Sequence, residues 1–177
     1  MSSAVQFDIF AGGLIDVTCL GMAQTDRHGN VNVSAFGGKV MGPGGFVDIS
    51  QNARLAVFCG AFRAKGLKVS LRDGALRIDQ EGQVAKFVPD VEEITYSGTF
   101  AAEEGRRALY VTERCVFELT DEGLALTEIA PGVDLERDIL AHLDFRPVMT
   151  DVRAMPASVF APLDTPENGA THLTPVG

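Results

Sequence analysis

An open, mixed α/β sheet, strand-rich with one clear helix toward its C-terminal end, is the fold class this 177-residue sequence predicts. Three observations carry it. Short apolar runs bounded by Gly, Asp and Asn recur along the chain at strand length, one later segment switches to helical spacing, and a glycine-rich connection lies between early strands.

The strand runs come first. LIDVTCL at 14–20, VNVSAF at 31–36, RLAVFCGAF at 54–62, LKVSLRD at 67–73 and ALRIDQ at 75–80 all read as extended segments. Asp73-Gly74 between the last two is a tight hairpin signal. EITYSGTF, RALYVTERCVFELT at 107–120 and GLALTEIA at 123–130 continue the pattern, with Asp121, Glu122 and Gly123 as a further turn. The helix is PGVDLERDILAHLDF, in which Asp134 suits the N-cap and Leu135, Ile139, Leu140 and Leu143 share one face. A short second helix is expected near Asp48 and Ile49, capped by Asp48 or Ser50, with Gln51 and Asn52 as further capping residues. Residues 1–155 are expected to form one domain and 156–177, punctuated by Pro156, Pro162, Pro166 and Pro175, a tail.

Composition narrows the function classes. A net charge of -9 argues against a nucleic-acid binder, which needs a concentrated basic face. The chain carries neither a membrane-length apolar run nor a secretory signal at its N-terminus, so a cytoplasmic location is the expectation. Cys19, Cys59 and Cys115 form no CxxC pair and sit in apolar runs, which predicts reduced core thiols. His28, His142 and His172 lack zinc-site spacing.

Collinear blocks then point to a family. GGLIDVTCLGMAQTDRHGNVNVS, GPGGFVDISQNARLAVF, the AKG at 64–66, KFVPDVEEITYSG, YVTERCVFELT and GLALTEIAPGVDLERDILAHLDFRP follow one another in an order that resembles the family I coenzyme A transferases. The insertion LRDGALRIDQEGQVAKFVPDVEEITYSG is more similar to the acetate/propionate branch than to the 3-ketoacid branch. The resemblance, from Phe7 to about Met149, implies the C-terminal part of the second, beta-type domain of such an enzyme. It implies coenzyme A and acyl-CoA as substrates rather than a tightly bound cofactor, and transfer to a carboxylic acid through a glutamyl-CoA thioester.

In the family the nucleophilic Glu lies in a Ser-Glu-x-Gly type motif shortly before the block matching GGLIDVTCLGMA. The eleven residues before Gly12 contain no Glu. Glu167-Asn168-Gly169 repeats the family's triplet, but in the Pro-rich segment, where Asn-Gly reads as a turn. The expectation is therefore a chain inactive alone, completed by a complementary transferase subunit or domain, with no nucleic acid or membrane as partner and with an oligomer favoured. The alternative is a non-catalytic binding or assembly remnant of the same fold.

The resemblance also assigns site residues. Gly66 matches a position whose backbone N–H faces the thioester oxygen, as an oxyanion donor should. Gly44 and Gly45 match the glycine loop beside the site, and each of these glycines reads equally as a turn residue. Asn32 matches an amide that positions the acyl or thioester group, although Asn30 and Asn32 also fit Asx-turns. Glu113 matches a carboxylate that orients its neighbours, or else is a paired surface acid. Lys39, Lys65 and Lys68 are the basic residues nearest these loops, with Lys65 the candidate for a coenzyme A phosphate or an ordinary solvated lysine.

Overall fold

A computed structural model describes residues 2–161. In chain order its regular elements are α1 (Ser3–Ala11), β1 (Val17–Gly21), β2 (Gln24–Asp26), β3 (Val31–Asn32), β4 (Ala35–Phe36), β5 (Lys39–Val40), α2 (Phe46–Gln51), β6 (Leu55–Cys59), β7 (Arg63–Ala64), β8 (Lys68–Arg72), β9 (Ala75–Gln80), β10 (Val84–Ala85), β11 (Phe87–Val88), α3 (Gly98–Glu103), β12 (Arg107–Val111), β13 (Cys115–Thr120), β14 (Gly123–Ile129) and β15 (Arg153–Ala154). The main sheet has six strands in the order β1-β6-β12-β13-β14-β15. Its first three strands run parallel, β12-β13-β14 form an antiparallel meander, and β15 returns parallel to β14. This is the mixed α/β sheet that the sequence predicts, with few helices.

Alternation along the strands decides which face becomes core. Ala56 and Phe58 on β6, Ala108 and Tyr110 on β12, and Phe117 and Leu119 on β13 are buried, while residues between them are more exposed. Strand register brings Phe58, Tyr110 and Phe117 side by side. Phe58 also packs edge-on against Tyr96, at 4.9 Å between ring centroids. Phe62, Phe87 and Phe117 extend the aromatic core, with centroids 5.2 and 4.9 Å apart. Tyr110 donates its hydroxyl to Gly29 O at 2.5 Å and so ties the core to the loop after β2.

Smaller pieces sit beyond the carboxyl ends of the parallel strands. β11, β2 and β3 make a three-stranded sheet, and β7 pairs with β10. The β8-β9 hairpin turns through Asp73 and Gly74, both at positive φ, as a two-residue loop of this kind requires.

Several expectations change. EITYSGTF is not one strand: Tyr96 bridges Val31, then Ser97 caps α3 by accepting from Phe100 N at 3.2 Å. Gly98 lies so close to the His28 and Gly29 backbone that a Cβ would meet it at 2.4 Å, which forces the chain to turn there. The run 107–120 divides at Thr112, whose hydroxyl bonds Cys115 to close the turn. α2 starts at Phe46 with Gly45 as its N-cap, not at Asp48 or Ser50, and Asn52 closes its other end.

The predicted helix 131–145 is irregular. Asp134 is its N-cap, accepting from Arg137 N, but Leu135–Ile139 forms a π turn and Leu140–His142 a 3-10 turn. Asp138 O accepts instead from Arg114 Nη1 at 2.9 Å, which diverts an acceptor from the helical ladder. α1 was not expected; Ser2 caps it, and Phe7 packs where a Gly45 Cβ would stand. Cys115 is the core thiol expected, whereas Cys19 and Cys59 are exposed on the other face of the sheet. Within the segment read as a tail, Ala157–Phe160 forms a 3-10 turn and Phe160 packs with Leu76, Ala130 and Met155. Glu167-Asn168-Gly169 lies outside the described residues.

Candidate active site

Met22 follows β1, Gly60 follows β6 and Glu113 lies just past β12, so the carboxyl ends of three neighbouring parallel strands converge. Open α/β sheets offer their ligand crevice at such ends. A cleft of about 460 Å³ lies there, lined by Met22, Ala23, Gln24, Phe36, Ala64 and Val84, with Ala85, Lys86 and Glu92 completing it.

Glu113 is outside the lining but close enough to Lys86 to act on its charge. Its Oε2 accepts from Phe62 N at 2.8 Å and its Oε1 from Arg114 Nε at 2.7 Å. Arg114 is wholly buried, and four hydrogen bonds meet its guanidinium. Nη1 and Nη2 reach Glu81 at 2.8 and 3.0 Å, and the guanidinium carbon lies 4.7 Å from the Phe62 ring centroid. Burial works to raise the Glu81 carboxyl, but Arg114, the Gly82 N–H and nearby His142 outweigh it and hold it below the usual glutamate range. Glu113 thus orients the segment after β6, and Arg114 and Glu81, which sequence reasoning missed, hold Glu113. The arginine sits in the turn YVTERCVF, where alternation alone reads as surface.

The segment so held continues into Ala64, Lys65 and Gly66. Lys65 and Gly66 have φ of 58° and 83°, consecutive left-handed positions. Lys65 O accepts from Gln83 N at 3.0 Å, fastening the turn to the chain before β10. Both residues are exposed, while Ala64 beside them forms part of the cleft wall.

Asn32 is fully buried. Its Nδ2 donates to Gln24 Oε1 and to Ala35 O, each at 2.7 Å, and its Oδ1 accepts from Ser34 N and Ala35 N. The amide is saturated within the chain, and it reaches the cleft through Gln24. Asn30 bonds Asp26 and accepts from Gly98 N, a bracing role for the loop. Gly44, at φ 55°, stands in open space and Gly45 is packed against Phe7; neither lines the cleft. Lys39 and Lys68 are exposed. The structure therefore sets the Lys65-Gly66 turn and Asn32 each one neighbour from the cleft wall, through Ala64 and Gln24, and leaves Glu113 and the glycine loop outside its lining.

Lys86 is the other residue missed. It stands between β10 and β11, where its carbonyl accepts from Thr25 N at 2.7 Å. Its Nζ occupies the space a Gly60 side chain would take, 2.6 Å from the position of that absent Cβ. Burial pushes the ammonium below the usual lysine range, with Glu113 pulling the other way. Only a lysine set between the apolar pairs Val84-Ala85 and Phe87-Val88 marked it in the sequence. Among the described residues no group of His, Cys, Asp and Glu is arranged to hold a metal, and no helix is long and apolar enough to cross a membrane.

No family model matches the chain. It is 52% identical over 145 residues to the acetate CoA-transferase YdiF of Escherichia coli K12, covering 82% of this chain and 27% of that protein. It is 47% identical over 161 residues to the caffeate CoA-transferase of Acetobacterium woodii, covering 88% and 30%. The crystal structure of the acyl-CoA transferase YdiF apoenzyme from Escherichia coli O157:H7 superimposes with a TM-score of 0.88 at 48% identity, over 91% of this chain and 32% of that one. The chain belongs to the CoA-transferase family. It spans less than a third of the length of the curated relatives it matches. A more distant likeness, to IpdAB of Rhodococcus jostii RHA1 at 19% identity and a TM-score of 0.66, concerns the fold.

Proposed function

We propose that this chain is part of a CoA-transferase that moves coenzyme A from an acyl-CoA to a carboxylic acid. The observation that carries the reading is the cleft at the carboxyl ends of β1, β6 and β12, in a chain about half identical to transferases of this chemistry. The route is a glutamyl-CoA thioester: a glutamate takes CoA from the thioester as the first acid leaves as its carboxylate, then yields CoA to the second acid and is regenerated. A solved structure of YdiF is itself a thioester complex with CoA, which supports that route. The chain spans less than a third of its curated relatives, and in this reading a complementary part of the enzyme supplies the nucleophilic glutamate.

In this arrangement the Lys65-Gly66 turn presents backbone N–H groups to the thioester oxygen, and Glu113 keeps the turn in place through Phe62 N. Asn32 positions Gln24 on the cleft wall. Lys65, and Gly44 and Gly45 in the exposed loop before α2, serve the coenzyme A side. The open edge of β1, with Val17 and Leu14 exposed beside it, suits contact with the complementary part, so an assembled protein is the working form.

Complementation tests this. Escherichia coli YdiF lacking the matched segment is combined with this chain and assayed for CoA transfer from acetyl-CoA to propanoate. Turnover is expected only with both components present. Turnover by this chain alone, or a well-folded assembly that binds acetyl-CoA without any transfer, would overturn the reading.

A further inference from the structure

Cys19 and Cys59 are nucleophiles that the candidate site does not use. Both are exposed, on the face of the main sheet opposite the aromatic core. Parallel register sets Cys19 beside Val57 and Gly21 beside Cys59, so the two thiols take one diagonal of a four-residue patch on β1 and β6. Residues opposite one another, and residues two apart along a strand, share a face, so both side chains leave the sheet on the same side. Burial, and then the charge of Cys19, push the Cys59 thiol above its ordinary value, which places the two within electrostatic reach. The other corners leave the diagonal open: a Cβ at Gly21 would have nothing within 4 Å, and Val57 is the fourth corner. Val17 precedes Cys19 on the same face, and Val111 stands beside Cys59 on β12. Sulfur is therefore the ligand chemistry these strand positions offer, and among the described residues no group of three or more His, Cys, Asp or Glu is arranged to hold a metal.

Spacing selects among the things two thiols can do. Diagonal neighbours on paired strands have Cα atoms about 7–8 Å apart, with Cβ atoms somewhat closer. A disulfide needs the Cα atoms within about 7 Å, so closing one would pull the strands out of place. A single ion between the sulfurs spans more, since two metal–thiolate bonds of about 2.3 Å in line hold the sulfurs roughly 4.6 Å apart. Zinc takes four ligands, and calcium or magnesium takes oxygen, so neither suits a bare pair of thiols. A soft monovalent ion such as copper(I) takes thiolates and is satisfied by two of them in line.

We propose that Cys19 and Cys59 form a two-thiolate site for a soft monovalent cation, copper(I) or silver(I), that bridges β1 and β6 on the face opposite the aromatic core. On binding, both S–H protons pass to solvent, two metal–sulfur bonds form and the metal keeps its oxidation state. Binding therefore strengthens as pH rises toward the thiol range, and the cation offsets the repulsion between the two thiolates. Cys115 does not compete: it is buried in the core, and burial pushes its thiol up to about 12. The site is independent of the transferase reading.

The test loads the reduced 177-residue chain with copper(I) in the absence of oxygen and challenges it with the chelator bathocuproine disulfonate. One copper(I) per chain is expected to be held, about a hundredfold or more tightly than by Cys19→Ser or Cys59→Ser, because each variant keeps one of the two ligands. Both positions are exposed, so the variants are expected to fold, which far-UV circular dichroism checks. A second readout needs no variant: N-ethylmaleimide with peptide mass mapping should mark both thiols in the metal-free chain and neither in the loaded one. Serine variants that hold copper(I) as tightly as the parent, a loaded chain in which either thiol still reacts, or a parent that yields its copper(I) as readily as a single-thiol variant overturns the proposal. One zinc(II) per chain held as tightly as copper(I) also overturns it, since that requires further ligands. So does a Cys19–Cys59 disulfide that forms in air with the sheet intact, since that requires a shorter span.

Discussion

Arg114 and Lys86 stand on either side of Glu113, and the chain treats the two cations in opposite ways. Arg114 is fully enclosed, with Glu81, Glu113 and a backbone carbonyl on four of its five donors and an aromatic face beneath it. Lys86 is half enclosed and bonds no acid among the described residues. Saturated charge networks hold backbone in position, while a placed but unsatisfied charge is available to a ligand. The first region is scaffold and the second leaves its cation beside the cleft, though they share a glutamate.

The largest effect expected from breaking this contrast is at Arg114. Arg114→Met leaves two partly enclosed carboxylates without their counter-ion and should cost about 3–5 kcal/mol of stability, read from a denaturant midpoint. A cost under about 1 kcal/mol would show the network to be no more than a surface pair.

The second effect is in the pH dependence. Glu81 is held below the usual carboxyl range, so its contribution is complete above about pH 5 and is lost as pH falls through its lowered value in the folded protein. Thermal midpoints followed from pH 6 downward should therefore drop more steeply in the parent chain than in Glu81→Gln. Parallel curves would mean that Glu81 titrates alike in the folded and unfolded chain.

The smallest effect is expected at Lys86. Lys86→Met should leave stability unchanged or raise it by up to about 1 kcal/mol, because an unpaired ammonium is withdrawn from a half-buried place. Marked destabilisation would make Lys86 part of the scaffold and erase the distinction from Arg114.

Some of this was legible in the residues. The runs that became β6, β8, β9 and β14 have strand length and apolar character, Asp73-Gly74 turns where such a pair must, and Asp134 caps the turn after it. Glu113 and Lys65-Gly66 could be picked out only through the family resemblance. α1 escaped because SAVQFDIFA carries apolar residues on several sides, so no helical face stands out. The strand expected over EITYSGTF gave way to α3 because the Ser97 cap and the tight approach of Gly98 to the loop after β2 are consequences of packing.

By itself the sequence determined the class of sheet, the main turns and the resemblance to CoA-transferases, all of which depend on local pattern or on the order of neighbouring blocks. Only the tertiary structure decided that Arg114 and Glu81, 33 positions apart, brace Glu113. It likewise brought Lys86 to Gly60 and set Asn32 behind Gln24. Charge pairing and burial act across space between segments distant in the chain, and no periodicity along the chain records which charge will meet a partner.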